Sequence, residues 1–174
     1  QMNPHFIFNV LNGIKALGNS GKTNELNNTI SNFSVLLRGI LNNSRKDEIT
    51  LKEEIELLNN YIVLEQKMSS KSFTYTINTK LNNIDADEIL LPTMLIQPFV
   101  ENSIQHGLKA KQEPGFLKLH FSKEGLFLKV EIIDDGIGYN ASIRNKVNVR
   151  KHISHGIATI EERLKIYNGN HREE

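Results

Sequence analysis

Two groups of residues in this chain have types and spacings that could do chemistry, and they lie far apart in sequence. The first is His5 with Asn9, spaced i,i+4 so that on a helix they share one face. An imidazole keeps a free ring nitrogen near neutral pH and can attack an electrophile. The second group is Glu101-Asn102 with Gln105 and His106 on a predicted helix, then Asp134-Asp135-Gly136-Ile137-Gly138 after a predicted strand. The Asn102 amide oxygen suits Mg2+, which prefers oxygen ligands and keeps waters and phosphate oxygens in its shell. His106 shares the Asn102 face and could touch a phosphate. Asp134, at a strand end, can accept a hydrogen bond from an exocyclic amine such as that of adenine. Gly136 and Gly138 let backbone come close to a ligand. Gly156, after Ser154-His155, would do so for phosphates at the start of the last helix. A histidine upstream of a nucleotide-type site points to phosphoryl transfer to an imidazole.

Each piece also has a plain structural reading. These are a surface histidine, a solvated helix face or local cap at Asn102, an ordinary Asp-Gly turn, and simple helix capping at Ser154. The 6 histidines show no metal-binding spacing, and none matches H-E-x-x-H.

The elements that must position these groups can be read from periodicity. Asn3 caps and Pro4 opens a first helix. Phe6, Ile7, Val10, Leu11, Ile14 and Leu17 form its apolar stripe, with His5, Asn9, Asn12 and Ala16 opposite. His5 is therefore expected to face solvent. It sits in the first turn, where the helix dipole disfavours positive charge. Gly18-Asn19-Ser20-Gly21 ends this helix. A second helix, from about Glu25 to Ser44, carries Leu26, Ile30, Phe33, Leu37, Ile40 and Leu41. Such a hairpin has too little core to stand alone, and its stripes are expected to pair with a second copy as a four-helix bundle. Arg45-Lys46-Asp47-Glu48 is a polar break. Thr50 and Glu53 then have capping-box spacing at the start of a third helix. Phe73 to Ile77 alternates as a strand. A helix is expected from about Thr93 to Leu108. Leu117, Leu119 and Phe121 alternate in one strand, Leu126, Leu128, Val130 and Ile132 in the next, with Lys123-Glu124-Gly125 as the turn. A polar loop from Asn140 to about Ile153 leads to a last helix with Ile157, Ile160, Leu164 and Tyr167. Helices and mostly antiparallel strands in mixed order make the fold α+β.

Composition sets outer limits. The chain has 174 residues, 39% of them hydrophobic and 24% charged, which suits a globular protein of one or two small domains. A net charge of +1 gives no electrostatic case for nucleic acid. Without cysteine there is no disulfide or thiolate metal site, which fits a reducing cytoplasm. No apolar run approaches the roughly 20 residues that span a bilayer, and no signal peptide is present. Starting at Gln1 rather than Met, the chain reads as a fragment of a longer protein.

Taken together, these stretches resemble the LytS-like sensor histidine kinases, over nearly the whole chain. Gln1-Met2-Asn3-Pro4-His5-Phe6-Ile7-Phe8-Asn9-Val10-Leu11-Asn12 is similar to the family's phosphoacceptor box. Leu37-Arg38-Gly39, Leu51-x-x-Glu54 and Tyr61-Ile62-Val63-Leu64-Glu65 resemble its following signatures. The run from Leu91 to Gly107 resembles its N box, and Asp134 to Gly138 its first glycine box. The resemblance implies a dimerisation and phosphotransfer hairpin over residues 1–48. It implies an ATP-binding domain over 49–174, an α/β sandwich of the type shared by gyrase, Hsp90, histidine kinases and MutL, truncated at its C-terminus. By this likeness His5 accepts the γ-phosphoryl group, with Asn9 orienting the ring or a water. Asn102 holds Mg2+, and Asp134 reads adenine. Gly136, Gly138 and Gly156 shape the pocket, and Gln105 and His106 lie near the phosphates. The implied partners are a second copy and a response regulator whose aspartate takes the phosphoryl group. The implied setting is the cytoplasmic portion of a membrane-anchored bacterial sensor, anchored through regions outside this stretch.

There are departures from the family pattern. Ser154-His155-Gly156-Ile157-Ala158-Thr159 stands where Gly-x-Gly-Leu-x-Asn is usual, and Lys67 stands where arginine is common. Two rival readings are a related ATPase with a conformational output and a catalytically impaired dimeric scaffold. Pro98 occupies the place where a water-activating acid would lie, which speaks against the first. Retention of Asn102, Asp134, Gly136 and Gly138 speaks against the second.

Overall fold

A computed structural model describes residues 3–124 and 127–137. Helix α1 runs Pro4–Asn19, and its Asn3 cap accepts a hydrogen bond from the His5 backbone N–H at 2.9 Å. Helix α2 runs Thr23–Asn43 and lies against α1 and α3. Phe33 and Leu36 face inward on α2, while Ile30 and Leu41 stay exposed. The buried face is thus turned away from the expected stripe, and Thr29 and Asn43 are buried on it. Thr29 is satisfied there by donating to the Glu25 carbonyl at 2.8 Å. On α1 the expected stripe also divides. Phe6 and Val10 are buried, Ile7 and Ile14 are half-buried, and Leu11 is exposed. Gly39 is where α2 comes closest to α3, since a Cβ there would collide with the Leu57 side chain.

The segment expected to be a plain polar break ends in strand β1, Glu48–Thr50. It pairs antiparallel with β3, Leu90–Pro92, with Ile49 opposite Leu91. Three-residue strands are too short to show periodicity, so neither is visible in the sequence. Further bonds extend this strap: Leu51 N–H to the Ile89 carbonyl at 2.8 Å and Thr93 N–H to the Asp47 carbonyl at 3.2 Å. Helix α3, Leu51–Met68, opens with the expected capping box between Thr50 and Glu53.

Strand β2, Phe73–Lys80, leads through a crossover to β4, Gly115–Glu124, and β5 spans Phe127–Asp134. The sheet order is β2-β4-β5, with β2 parallel to β4 and β4 antiparallel to β5. The strand pairs are mostly antiparallel, as expected; β2 and β4 run parallel because the connection through residues 81–114 is long enough to cross over. Leu117, Leu119 and Phe121 bury one face of β4 as predicted. Glu124 pairs with Phe127, so only Gly125 and Leu126 join these strands. Those two lie outside the described residues, and the turn is not the Lys123–Gly125 one expected.

The helix expected from Thr93 begins at Gln97 instead. Helix α4 covers Gln97–Asn102 and continues as a π-helical segment, Ser103–Leu108. The cause of the late start is Pro98. In a helix begun at Thr93 its ring would clash with the Met94 carbonyl one turn back. Met94 instead takes a left-handed conformation at φ 56°. Helices α3 and α4 cover the sheet, sharing one core with Phe6, Val10, Phe33 and Leu36 of the hairpin.

Candidate functional site

His5 is exposed, as its helix position predicts. Its Nδ1 lies 3.2 Å from the Asn9 Nδ2, so the i,i+4 pair is formed. Both side chains line a cleft of about 1070 Å3. Gln105 and Lys109 of the π-helical segment line the same cleft, as do Lys67 and Lys71 at the end of α3 and beyond. The histidine and one member of the distant helix group are thus brought together within one chain.

Phe6 fixes α1 against the rest of the molecule at this point. It is buried in the shared core, and its ring centroid lies 4.7 Å from that of Tyr61.

Beneath the cleft lies a buried polar network. Glu65 is 1% exposed. One of its oxygens accepts from the Tyr61 hydroxyl at 3.0 Å and from Gln105 Nε2 at 2.6 Å. The other meets Lys109 Nζ at 2.7 Å, and Lys109 also donates to Gln105 Oε1 at 3.0 Å. The carboxylate is therefore paired and hydrogen-bonded, which a buried charge requires. Burial, then the neighbouring Glu65 and Glu101 charges, push the Tyr61 hydroxyl well above its ordinary range. Burial also pushes Glu101 upward, against the Asn3 hydrogen bond, which pulls it down. Glu54 has a further role in placing α4. Fully buried on α3, its carboxylate accepts from the Ile96 N–H at 3.2 Å, at the start of α4. An anion there meets the unsatisfied donors of a helix start.

Asn102 closes α4 and is half-buried, and His106 is exposed in the π-helical segment. Single π turns inside helices often occur at functional sites. Here the widened turn is seen in the Lys109 N–H bonding to the Ile104 carbonyl at 3.0 Å. Asp134 ends β5, and its Oδ1 accepts from the Gly136 N–H at 2.9 Å. Gly136 lies against Gly107, so closely that a Cβ on Gly136 would strike the Gly107 backbone. A Cβ on Gly107 would in turn come within 2.8 Å of Asp134 Oδ1. The Ile137 N–H to Gly107 carbonyl bond, at 3.4 Å, completes this junction of helix end and glycine loop. Gly138 and Gly156, with Ser154, the Asn140–Ile153 loop and the last helix, lie outside the described residues.

Residues expected to act at the site thus fall into two neighbourhoods. Gln105 joins His5 and Asn9, while Gly107 joins Asp134 and Gly136. Tyr61, Glu65 and Lys109 carry site architecture that sequence reasoning assigned no part. Their signal was the i,i+4 spacing of Tyr61 with Glu65 and of Gln105 with Lys109. For Mg2+, Asn102 offers one oxygen, and no group of three or more His, Cys, Asp or Glu forms a metal cluster among the described residues. That fits an ion held mainly by phosphate oxygens and water rather than by a protein cage.

Comparisons with known proteins bear on the family of this chain. A family model described as Histidine kinase matches residues 1–73. The chain is similar to the sensor histidine kinase YesM of Bacillus subtilis, 24% identical over 95% of this chain and 28% of the relative. It is similar to the sensor protein LytS of Staphylococcus epidermidis, 33% identical over 81% of this chain and 23% of the relative. It also matches the sensor histidine kinase YpdA of Escherichia coli, 27% identical over 97% of this chain and 29% of the relative. The chain thus spans between 23% and 29% of the length of these relatives. The family match over residues 1–73, together with these relatives, places the chain among the LytS-like sensor histidine kinases.

Proposed function

We propose that this chain is the phosphoacceptor and ATP-binding region of a two-component sensor histidine kinase. On this reading His5 takes the γ-phosphoryl group of Mg-ATP and yields it to an aspartate of a response regulator. The observation that carries the proposal is the shared cleft. An exposed histidine, held by Asn9, opens onto the same space as Gln105 and Lys109 of the helix that also carries Asn102. In the transfer, an unprotonated imidazole nitrogen bonds to the γ-phosphorus while the bond to the β,γ-bridging oxygen breaks. That electron pair leaves with ADP, and the proton on the other ring nitrogen is released to solvent.

Catalysis of this kind rests on positioning and charge neutralisation. Mg2+, when bound, neutralises phosphate charge, and Asn102 is the residue that would hold it. Asp134 keeps one oxygen on the Gly136 N–H, which fixes the carboxylate so that the other oxygen can meet the adenine amine. The close Gly107–Gly136 junction keeps that wall of the pocket free of side chains.

The same reading divides the chain into a hairpin over 1–48 and a nucleotide domain over 49–174 of the gyrase, Hsp90, kinase and MutL type. It makes the hairpin half of a four-helix bundle in a homodimer. None of the described helices is long and apolar enough to cross a membrane, and the proposed anchoring rests on regions beyond this stretch. The test is labelling with γ-phosphate-tagged ATP. Acid-labile, base-stable label that disappears in His5→Ala is expected, and undiminished label in His5→Ala sinks the assignment.

A further inference from the structure

We propose that His5 is phosphorylated in cis, by the nucleotide held on its own chain rather than on a partner copy. This rests on the kinase reading above and concerns which subunit supplies the phosphoryl group. Two observations carry it.

The first is the strap. The connection between α2 and α3 is not a free tether, because β1 is laddered to β3 and flanked by bonds from Leu51 to Ile89 and from Thr93 to Asp47. The hairpin therefore joins the nucleotide-binding part through hydrogen-bonded backbone, which opposes a swing toward another subunit.

The second is docking of the histidine's own helix turn. Asn3, Phe6 and His5 lie within one turn of α1. Phe6 packs on Tyr61 of α3. His5 then faces the cleft that Gln105 and Lys109 line. Tyr61, Gln105 and Lys109 are themselves tied together through Glu65, so the histidine's neighbours on both walls form one hydrogen-bonded unit.

The bonds made and broken are those of the transfer already described. Only the subunit that holds ATP is specified.

The experiment uses full-length protein with two affinity tags, co-expressed and purified through both tags so that only mixed assemblies remain. One assembly pairs a His5→Ala chain with an Asn102→Ala chain. The other pairs wild type with a chain carrying both substitutions. His5 is exposed and Asn102 half-buried, so both variants keep the core intact. Cis transfer predicts no label above background in the first assembly. In the second it predicts label on the wild-type chain at half the level of the wild-type homodimer. Label on the Asn102→Ala chain of the first assembly, with none in the second, overturns the proposal in favour of transfer between subunits. Absence of label on the wild-type homodimer overturns the kinase reading itself, and the cis assignment with it.

Discussion

The pairing of His5 with Asn9 decides which ring nitrogen can attack. With the amide nitrogen of Asn9 3.2 Å from Nδ1, the amide donates and the neutral ring carries its proton on Nε2. Neither nitrogen is then a free nucleophile. A half-turn of the Asn9 amide brings Oδ1 to face the ring, so Nδ1–H donates and the Nε2 lone pair points into the cleft. Aspartate at this position can only accept, and leucine can do neither. We expect Asn9→Leu to slow labelling of His5 by about tenfold, the worth of one hydrogen bond of about 1.4 kcal/mol. Asn9→Asp should label faster than Asn9→Leu, as read from initial rates. Equal rates for the two would remove the tautomer argument. The buried network allows a different prediction at the same scale. Lys109 is the cation on a carboxylate that is 1% exposed. Removing one partner of such a pair leaves a buried charge uncompensated and costs about 3–5 kcal/mol. Lys109→Met should lose unfolding free energy on that scale in urea. Adding Glu65→Gln should restore most of it, because the charge that needed a partner is gone.

At the scale of elements, the burial of Glu101 on α4 should make stability depend on pH in a recognisable way. Glu101 is pushed above its ordinary value of 4.5, chiefly by burial. A carboxyl that binds its proton more tightly when folded favours the folded state at low pH. That advantage is lost as pH rises through the raised value. Glu53 and Asp135 act with the opposite sign. Lys46 and the Thr50 N–H hold Glu53 low, and Lys111 and the Phe116 N–H hold Asp135 low, so both favour folding more as pH rises. Glu101→Gln should therefore be more stable than the parent at neutral pH, with the difference vanishing below pH 4.5. A difference that grew toward acid would show that the Asn3 bond outweighs burial. How legible these elements were depended on what set them. The Thr50–Glu53 box and the Leu117, Leu119 and Phe121 alternation are local patterns, and both appear as read. The start of α4 is set by a proline one turn into the expected helix, a constraint that outranks apolar spacing. The β1–β3 strap depends on residues far apart in sequence. Glu65 and Lys109 lie far apart in sequence, and only the packed structure shows them paired. Of the site, the His5–Asn9 pair was readable because both members share one helix. The Gly107–Gly136 junction was not, because it depends on where a loop meets a helix end.

For the whole molecule, the exposed apolar residues are unevenly placed. Phe8 and Leu11 on α1 and Ile30, Val35 and Leu41 on α2 all belong to the hairpin. Ile30 and Leu41 are close to three full turns apart, so they fall on one line of α2. Beside it run the half-buried Leu37 and Ile40, and the buried face begins at Phe33. The expected helical stripe is therefore divided: part closes the chain's own core and part stays exposed, where the proposed dimer would bury it. Burying one such side chain contributes about 1.5–3 kcal/mol, and a two-fold interface uses each residue twice. Leu41→Glu should accordingly weaken self-association by well over about tenfold, since roughly 1.4 kcal/mol already amounts to that. Sedimentation equilibrium would show it as monomer, with an unchanged circular dichroism spectrum. Phe127 is 78% exposed at the start of β5, away from the hairpin. Phe127→Glu should leave the dimer intact, which separates a specific face from a general loss of stickiness. If His5 is served by its own chain's nucleotide, the monomeric Leu41→Glu protein should still label on His5. Loss of label in step with loss of dimer would instead tie phosphoryl transfer to the partner subunit.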